Sequence, residues 1–80
     1  MEIYFTFPST SAVITAEQVL IAAGMKVKVR PVPGAIRAGC GLCLAVSPDK
    51  QKEAMDILKE KSAEYSEIYF VQDGTYTRIQ

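Results

Sequence analysis

The chain has 80 residues, 49% of them apolar, with nine basic and nine acidic side chains and no histidine. Charges that cancel exclude the basic stripe with which non-specific nucleic-acid binders displace counterions, and they offer anionic membranes little attraction. The missing histidine excludes a Cys-His pair, a histidine general base and histidine metal ligands within the chain.

A chain of this length buries roughly 60–65% of its unfolded surface. Residues 1–80 therefore read as one domain with a single core that needs neither disulfide nor metal. No apolar run approaches the roughly 20 residues that span a bilayer. The strand pattern of Met1-Glu-Ile-Tyr-Phe5 begins at once and leaves no room for a signal peptide. A cytoplasmic location is the expectation, and two cysteines there are more often reduced than bridged.

In chain order, Ile3, Phe5 and Phe7 alternate with Tyr4 and Thr6, the period of a half-buried strand, and Pro8 ends it. Ser9, Thr10 and Ser11 offer hydroxyls that can cap a helix. From Ala12 to Ala23, Val13, Ala16, Leu20 and Ala23 fall close to one helical face, and Gly24 suits a left-handed cap. Met25–Arg30 alternates again, with Val27 and Val29 inward and Lys26, Lys28 and Arg30 outward, as on a protected edge strand. A loop follows, Pro31-Val-Pro-Gly-Ala-Ile-Arg-Ala-Gly-Cys-Gly-Leu-Cys43, that holds both cysteines and three of the five glycines. Leu42, Leu44 and Val46 then alternate with Cys43 and Ala45 as a third strand. Ser47-Pro48-Asp49 has the composition of a helix start, with a capping Ser, Pro at the first position and an acid near the positive dipole end. Gln51, Ala54, Met55 and Leu58 mark the buried stripe of that helix, and Lys52 and Asp56 can pair across one turn. Residues 67–72 read as a fourth strand, with Ile68 and Phe70 on one face. Asp73-Gly74 can turn a hairpin into residues 75–79; a short tail on the sheet edge is equally compatible.

The order strand-helix-strand-strand-helix-strand points to an α+β, ferredoxin-like pair of split β-α-β units. This βαββαβ fold has a four-stranded antiparallel sheet, two helices on one face, and room for an extra C-terminal edge strand. Right-handed crossovers favour it. In that topology the loop between strands two and three lies at the end of the sheet where the first helix begins. Cys40 should then sit near Ser9, Thr10 and Ser11, whose unsatisfied helix N–H groups would stabilise a thiolate, with Arg37 adding positive charge. Gly39 and Gly41 would leave the sulfur accessible and free the backbone around it. The competing reading is a small structural Cys at the start of a strand.

Cys43 completes a C-x-x-C spacing, but it opens a strand and not a helix. Extended residues three apart have Cα atoms about 10 Å apart, beyond the roughly 7 Å a disulfide tolerates. Cys43 is a resolving thiol or second ligand on one reading and a small side chain on the outer sheet face on the other. Two thiolates fall short of the usual four zinc ligands, so no metal and no cofactor are expected. Copper-chaperone domains share this strand order but carry C-x-x-C after the first strand, where this chain reads Pro-Ser-Thr-Ser. RNA-recognition domains carry stacking aromatics on the third strand, where this chain has Cys and Leu. Tyr4, Tyr69 and Val71 on the outer face suit ordinary strand positions or a homodimer surface.

Phe7-Pro-Ser-Thr10, the helix ending in Ala23-Gly24, Val29-Arg-Pro-Val-Pro33 and Gly39-Cys-Gly-Leu42 together resemble a small bacterial family of selenium/sulfur (Se/S) carrier-like proteins, over most of the chain to about residue 72. The resemblance implies that Cys40 matches the family's motif cysteine and carries a persulfide or selenopersulfide. It implies as partners a cysteine desulfurase-type donor and an acceptor enzyme, and a carrier or accessory role in place of autonomous catalysis. The alternative is a small regulatory or interaction module in which Cys40 only packs.

Overall fold

The computed structural model describes residues 1–36 and 40–80. One antiparallel sheet carries strands β1 (Glu2–Thr6), β2 (Lys28–Pro31), β3 (Leu42–Val46), β4 (Glu67–Gln72) and β5 (Thr75–Arg78), in the spatial order β2-β3-β1-β4-β5. Helix α1 (Thr10–Ala22) links β1 to β2, and α2 (Gln51–Glu60) links β3 to β4. The first four strands and two helices make the ferredoxin-like arrangement. The fifth strand extends it, so the sheet has five strands and the C-terminal segment is a true hairpin arm. Asp73 (φ 50°) and Gly74 (φ 77°) both adopt left-handed backbone, as a two-residue type I′ turn requires.

Helix α1 starts at Thr10, two residues before the apolar spacing begins, because Ser9 caps it: its side chain accepts from the Ala12 N–H at 3.2 Å. At the other end the Gly24 N–H donates to Ile21 O (2.9 Å) and the Met25 N–H to Leu20 O (3.0 Å). That double bond pattern, with Gly24 at φ +85°, is a Schellman ending. It turns Met25 into the core beside Leu20.

This ending also shortens β2. Pairing with β3 begins only at Lys28, and Val29, expected to face inward, is 39% exposed. It lies at the sheet edge, where one neighbouring strand cannot enclose it. Ser47 makes no side-chain cap; a 3-10 turn over Pro48–Lys50 precedes α2 instead. Within α2 the buried positions are Ala54 and Leu58, while Gln51 and Met55 are partly buried. Lys52 and Asp56 pair at 3.1 Å.

Both faces of the sheet are covered. Ile3, Phe5, Phe7, Leu44, Val46 and Ile68 pack beneath the helices. On the opposite face Tyr4, Cys43 and Ala45 form a second cluster, closed by Ile36, with Val32, Tyr69, Val71 and Tyr76 packed around it. The outer face is therefore not the solvated one that simple alternation suggests. Ile36, only 5% exposed, reaches over it from the loop after β2.

Candidate functional site: the Cys40 loop

Register fixes where the loop lies. Thr6, the last residue of β1, is opposite Cys43, and Leu42, the first of β3, is opposite Pro31. The end of β1, the start of β3 and the start of α1 thus share one end of the sheet. The described loop is anchored at three points. Val32 N–H donates to Gly41 O at 2.9 Å and closes its base, Ile36 N–H donates to Pro33 O at 2.9 Å in a turn, and the Ile36 side chain docks on the outer cluster. Sequence reasoning gave Val32 and Ile36 no role. Two apolar residues four apart in a Pro/Gly loop were the available signal.

Cys40 is half-buried and its side chain packs against the core beneath the helices. The thiol donates to Leu42 O at 3.1 Å, a contact only the protonated sulfur can make. Gly41 is not held glycine by conformation: its φ is ordinary and an added Cβ would meet nothing within 4 Å. Arg37 and Gly39, expected beside the sulfur, lie outside the described residues. Ser9, Thr10 and Ser11 are exposed at the start of α1. Ser9 Oγ and O engage the Ala12 and Val13 N–H groups. Among the described residues, no hydrogen bond takes the Thr10 or Ser11 N–H. These two amides are free donors at that end of the sheet.

Cys43 is the opposite kind of thiol. It is 0% exposed in the outer cluster, across the sheet from the core that Cys40 touches, and the two sulfurs are not bonded. Burial pushes the Cys43 thiol up to about 11, with the nearby Cys40 adding to the rise and Arg30 opposing it. Arg30 is held over this face by two bonds to Glu2, at 3.0 and 3.1 Å. Burial, with the Glu2 carboxylate, also raises Tyr4. At neutral pH such a thiol stays protonated, and the thiolate is the nucleophilic form.

Three comparisons bear on this geometry. A family model described as "Putative Se/S carrier protein-like" matches residues 2–70. The "Uncharacterized protein YtiA" of Escherichia coli (strain K12) is 35% identical over 78 residues, covering 98% of this chain and 88% of its own length. No solved structure matches significantly. No described helix is long and apolar enough to cross a membrane.

Proposed function

Because the chain belongs to the selenium/sulfur carrier-like family, we propose that it relays a sulfane sulfur or selenium on Cys40 between a donor enzyme and an acceptor. The observation that carries this reading is the contrast between the two thiols. Cys40 reaches solvent at an end of the sheet with free helix amides, whereas Cys43 is sealed.

In the first step the Cys40 thiol gives up its bond to Leu42 O and loses its proton to water. The thiolate then attacks the outer sulfur of a persulfide on a cysteine desulfurase-type donor. The donor's S–S bond breaks, its cysteine leaves as thiolate, and a new S–S bond forms on Cys40. In the second step an acceptor thiolate attacks the outer atom and Cys40 leaves. One bond of the same kind forms as one breaks, so neither step needs an oxidant. The Thr10 and Ser11 amides, capped in place by Ser9, and the Arg37 guanidinium are the groups proposed to stabilise the anionic Cys–S–S⁻ form. Gly39 and Gly41, which have no side chains, are proposed to leave the sulfur accessible to donor and acceptor. Cys43 serves packing and not resolution.

Incubation with a cysteine desulfurase and cysteine, without reductant, tests this by intact-mass and peptide mass spectrometry. The mass of one sulfur atom is expected on the Cys40 peptide and on no other. Wild-type protein that gains nothing while the desulfurase itself is loaded overturns the reading.

The bond from Cys40 to Leu42 O and its packing on the core favour one second reading, a regulatory or interaction module in which Cys40 is structural. Iodoacetamide separates the two. A carrier thiol is expected to alkylate faster at neutral pH than a free peptide thiol, and a structural one more slowly.

A further inference from the structure

Two helices cover a four-stranded sheet well, and here they must serve five strands. The inner face at β5 stays open, with a groove of about 330 Å³ lined by Phe70, Gln72, Asp73, Thr75 and Thr77. Among the described residues β5 pairs only with β4, so its second edge is free.

The hydrogen-bond phase of that edge can be worked out. In a two-residue hairpin the residues flanking the turn, Gln72 and Thr75, form a hydrogen-bonded pair, and such pairs recur at every second position. Phe70 with Thr77 comes next, and the bond from Ile79 N–H to Ile68 O (2.9 Å) keeps that phase through Arg78. Beyond it Ile68 N–H donates to Gln80 O (2.8 Å), so Ile79 and Gln80 oppose Ile68 together in a bulge that ends the regular strand. Tyr76 and Arg78 therefore turn their N–H and C=O groups away from β4, toward the free edge.

We propose that a second copy of this chain occupies this edge, the two β5 strands pairing antiparallel about a two-fold axis at Thr77. The geometry is self-complementary, as a closed dimer demands. Tyr76 of each copy exchanges both backbone bonds with Arg78 of the other, and Thr77 faces its own equivalent. Ile79, 46% exposed in the single chain, follows the strand at the bulge and comes to lie at the rim of the joined edge, near Thr75 of the second copy. Charge permits the contact, because Arg78, the single charged residue of β5, is already paired with Glu67 at 3.4 Å.

The other edge of the sheet shows what a protected edge looks like. The Val32 to Gly41 bond sets the phase of β2 so that Val29 and Pro31 face outward. Pro31 has no N–H to give, and the exposed Lys28 beside it would repel a second lysine. Both are devices that blunt edge pairing; β5 has no proline, and its one charge, Arg78, is held by Glu67. The inference stands apart from the carrier reading. Three strands separate β5 from β2, and both Cys40 loops stay free at opposite corners of the joined sheet.

The test is a cysteine placed on the axis. Facing residues of a non-hydrogen-bonded pair have Cα atoms about 4.5 Å apart, inside the roughly 4.4–6.8 Å window for a disulfide. Thr77→Cys in a Cys40→Ser background is expected to give a disulfide-linked dimer under mild oxidation, and Thr75→Cys is not. In sedimentation velocity the unmodified protein is expected to shift from one copy toward two between micromolar and near-millimolar concentration, since so short an edge binds weakly. Thr77→Lys and Thr77→Glu should each stay single, and their equimolar mixture should pair again. A protein that remains single throughout overturns the proposal. So does a dimer that Thr77→Lys leaves intact and Thr77→Cys does not link, which is what joining through the outer sheet face would give. If Thr77→Lys loses its circular dichroism spectrum, the cross-link decides.

Discussion

The buried thiol of Cys43 has a thermodynamic consequence. Its pKa is near 11 in the fold against an ordinary 9.0. As pH rises past 9 the unfolded chain gives up this proton while the folded one keeps it. Ionisation then draws population toward the unfolded state, and stability falls. The contribution is complete below pH 9 and is lost progressively up to about 11. At about 1.4 kcal/mol for each pKa unit, the loss is roughly 2–3 kcal/mol. Urea denaturation at about pH 8 and about pH 11, on the parent and on Cys43→Ala, checks it. The parent should lose that much more than the variant, and equal losses would show that Cys43 ionises freely in the fold. The two thiols also show what sequence can and cannot distinguish. Their spacing placed them three apart at a strand entry, and extended geometry alone argued against a disulfide. That Cys43 is sealed depends on Ile36, seven residues upstream in a loop without periodicity, so local spacing could not reveal it.

At the scale of elements, the chain is most readable where one physical cause dominates. Alternation alone identifies β1, β3 and β4, because their inner residues pack under helices and their outer ones form a second cluster. Asp73-Gly74 allowed a hairpin or a short edge tail, and the left-handed backbone of both residues decides for the hairpin. Boundaries set by backbone hydrogen bonds were less readable. The Schellman ending of α1 takes Met25 into the core and delays β2 to Lys28, although the alternation itself runs on from Met25. Gly24 carries that ending. An added Cβ there would touch nothing, so Gly24→Ala should cost only the backbone term for a non-glycine residue at positive φ, about 1–2 kcal/mol. Thermal and urea unfolding measure it. A loss of only a few tenths would mean that the helix ends another way in solution.

For the molecule as a whole, the notable economy is a sheet that buries an apolar cluster on each face. A chain of 80 residues has little core to spare, and here the loop after β2 takes the place of a third layer. Among its described residues, Ile36 is the one fully docked side chain. Ile36→Ala should weaken the docking by about 2 kcal/mol, the low end for such truncations, while the helix-side core stays intact. The readout is Cys43, best followed in a Cys40→Ser background. Its alkylation requires the loop to lift, so the rate should rise roughly thirtyfold, a factor of ten for each 1.4 kcal/mol. An unchanged rate would mean that something other than Ile36 seals the outer face. The topology was legible because connection lengths and crossover handedness leave few solutions. The loop layer was not, since its docking depends on one side chain meeting a surface assembled from four strands.

The closed base of that loop offers one more handle. The Val32 amide is bonded to Gly41 O, one residue from the sulfur, and it exchanges with solvent deuterium only when the clasp opens. Its exchange rate is thus a clock for the loop, readable without touching either cysteine. Compared between the free protein and one loaded with sulfur or selenium, it would report whether cargo is presented by a fixed arm or by one that swings out to deliver.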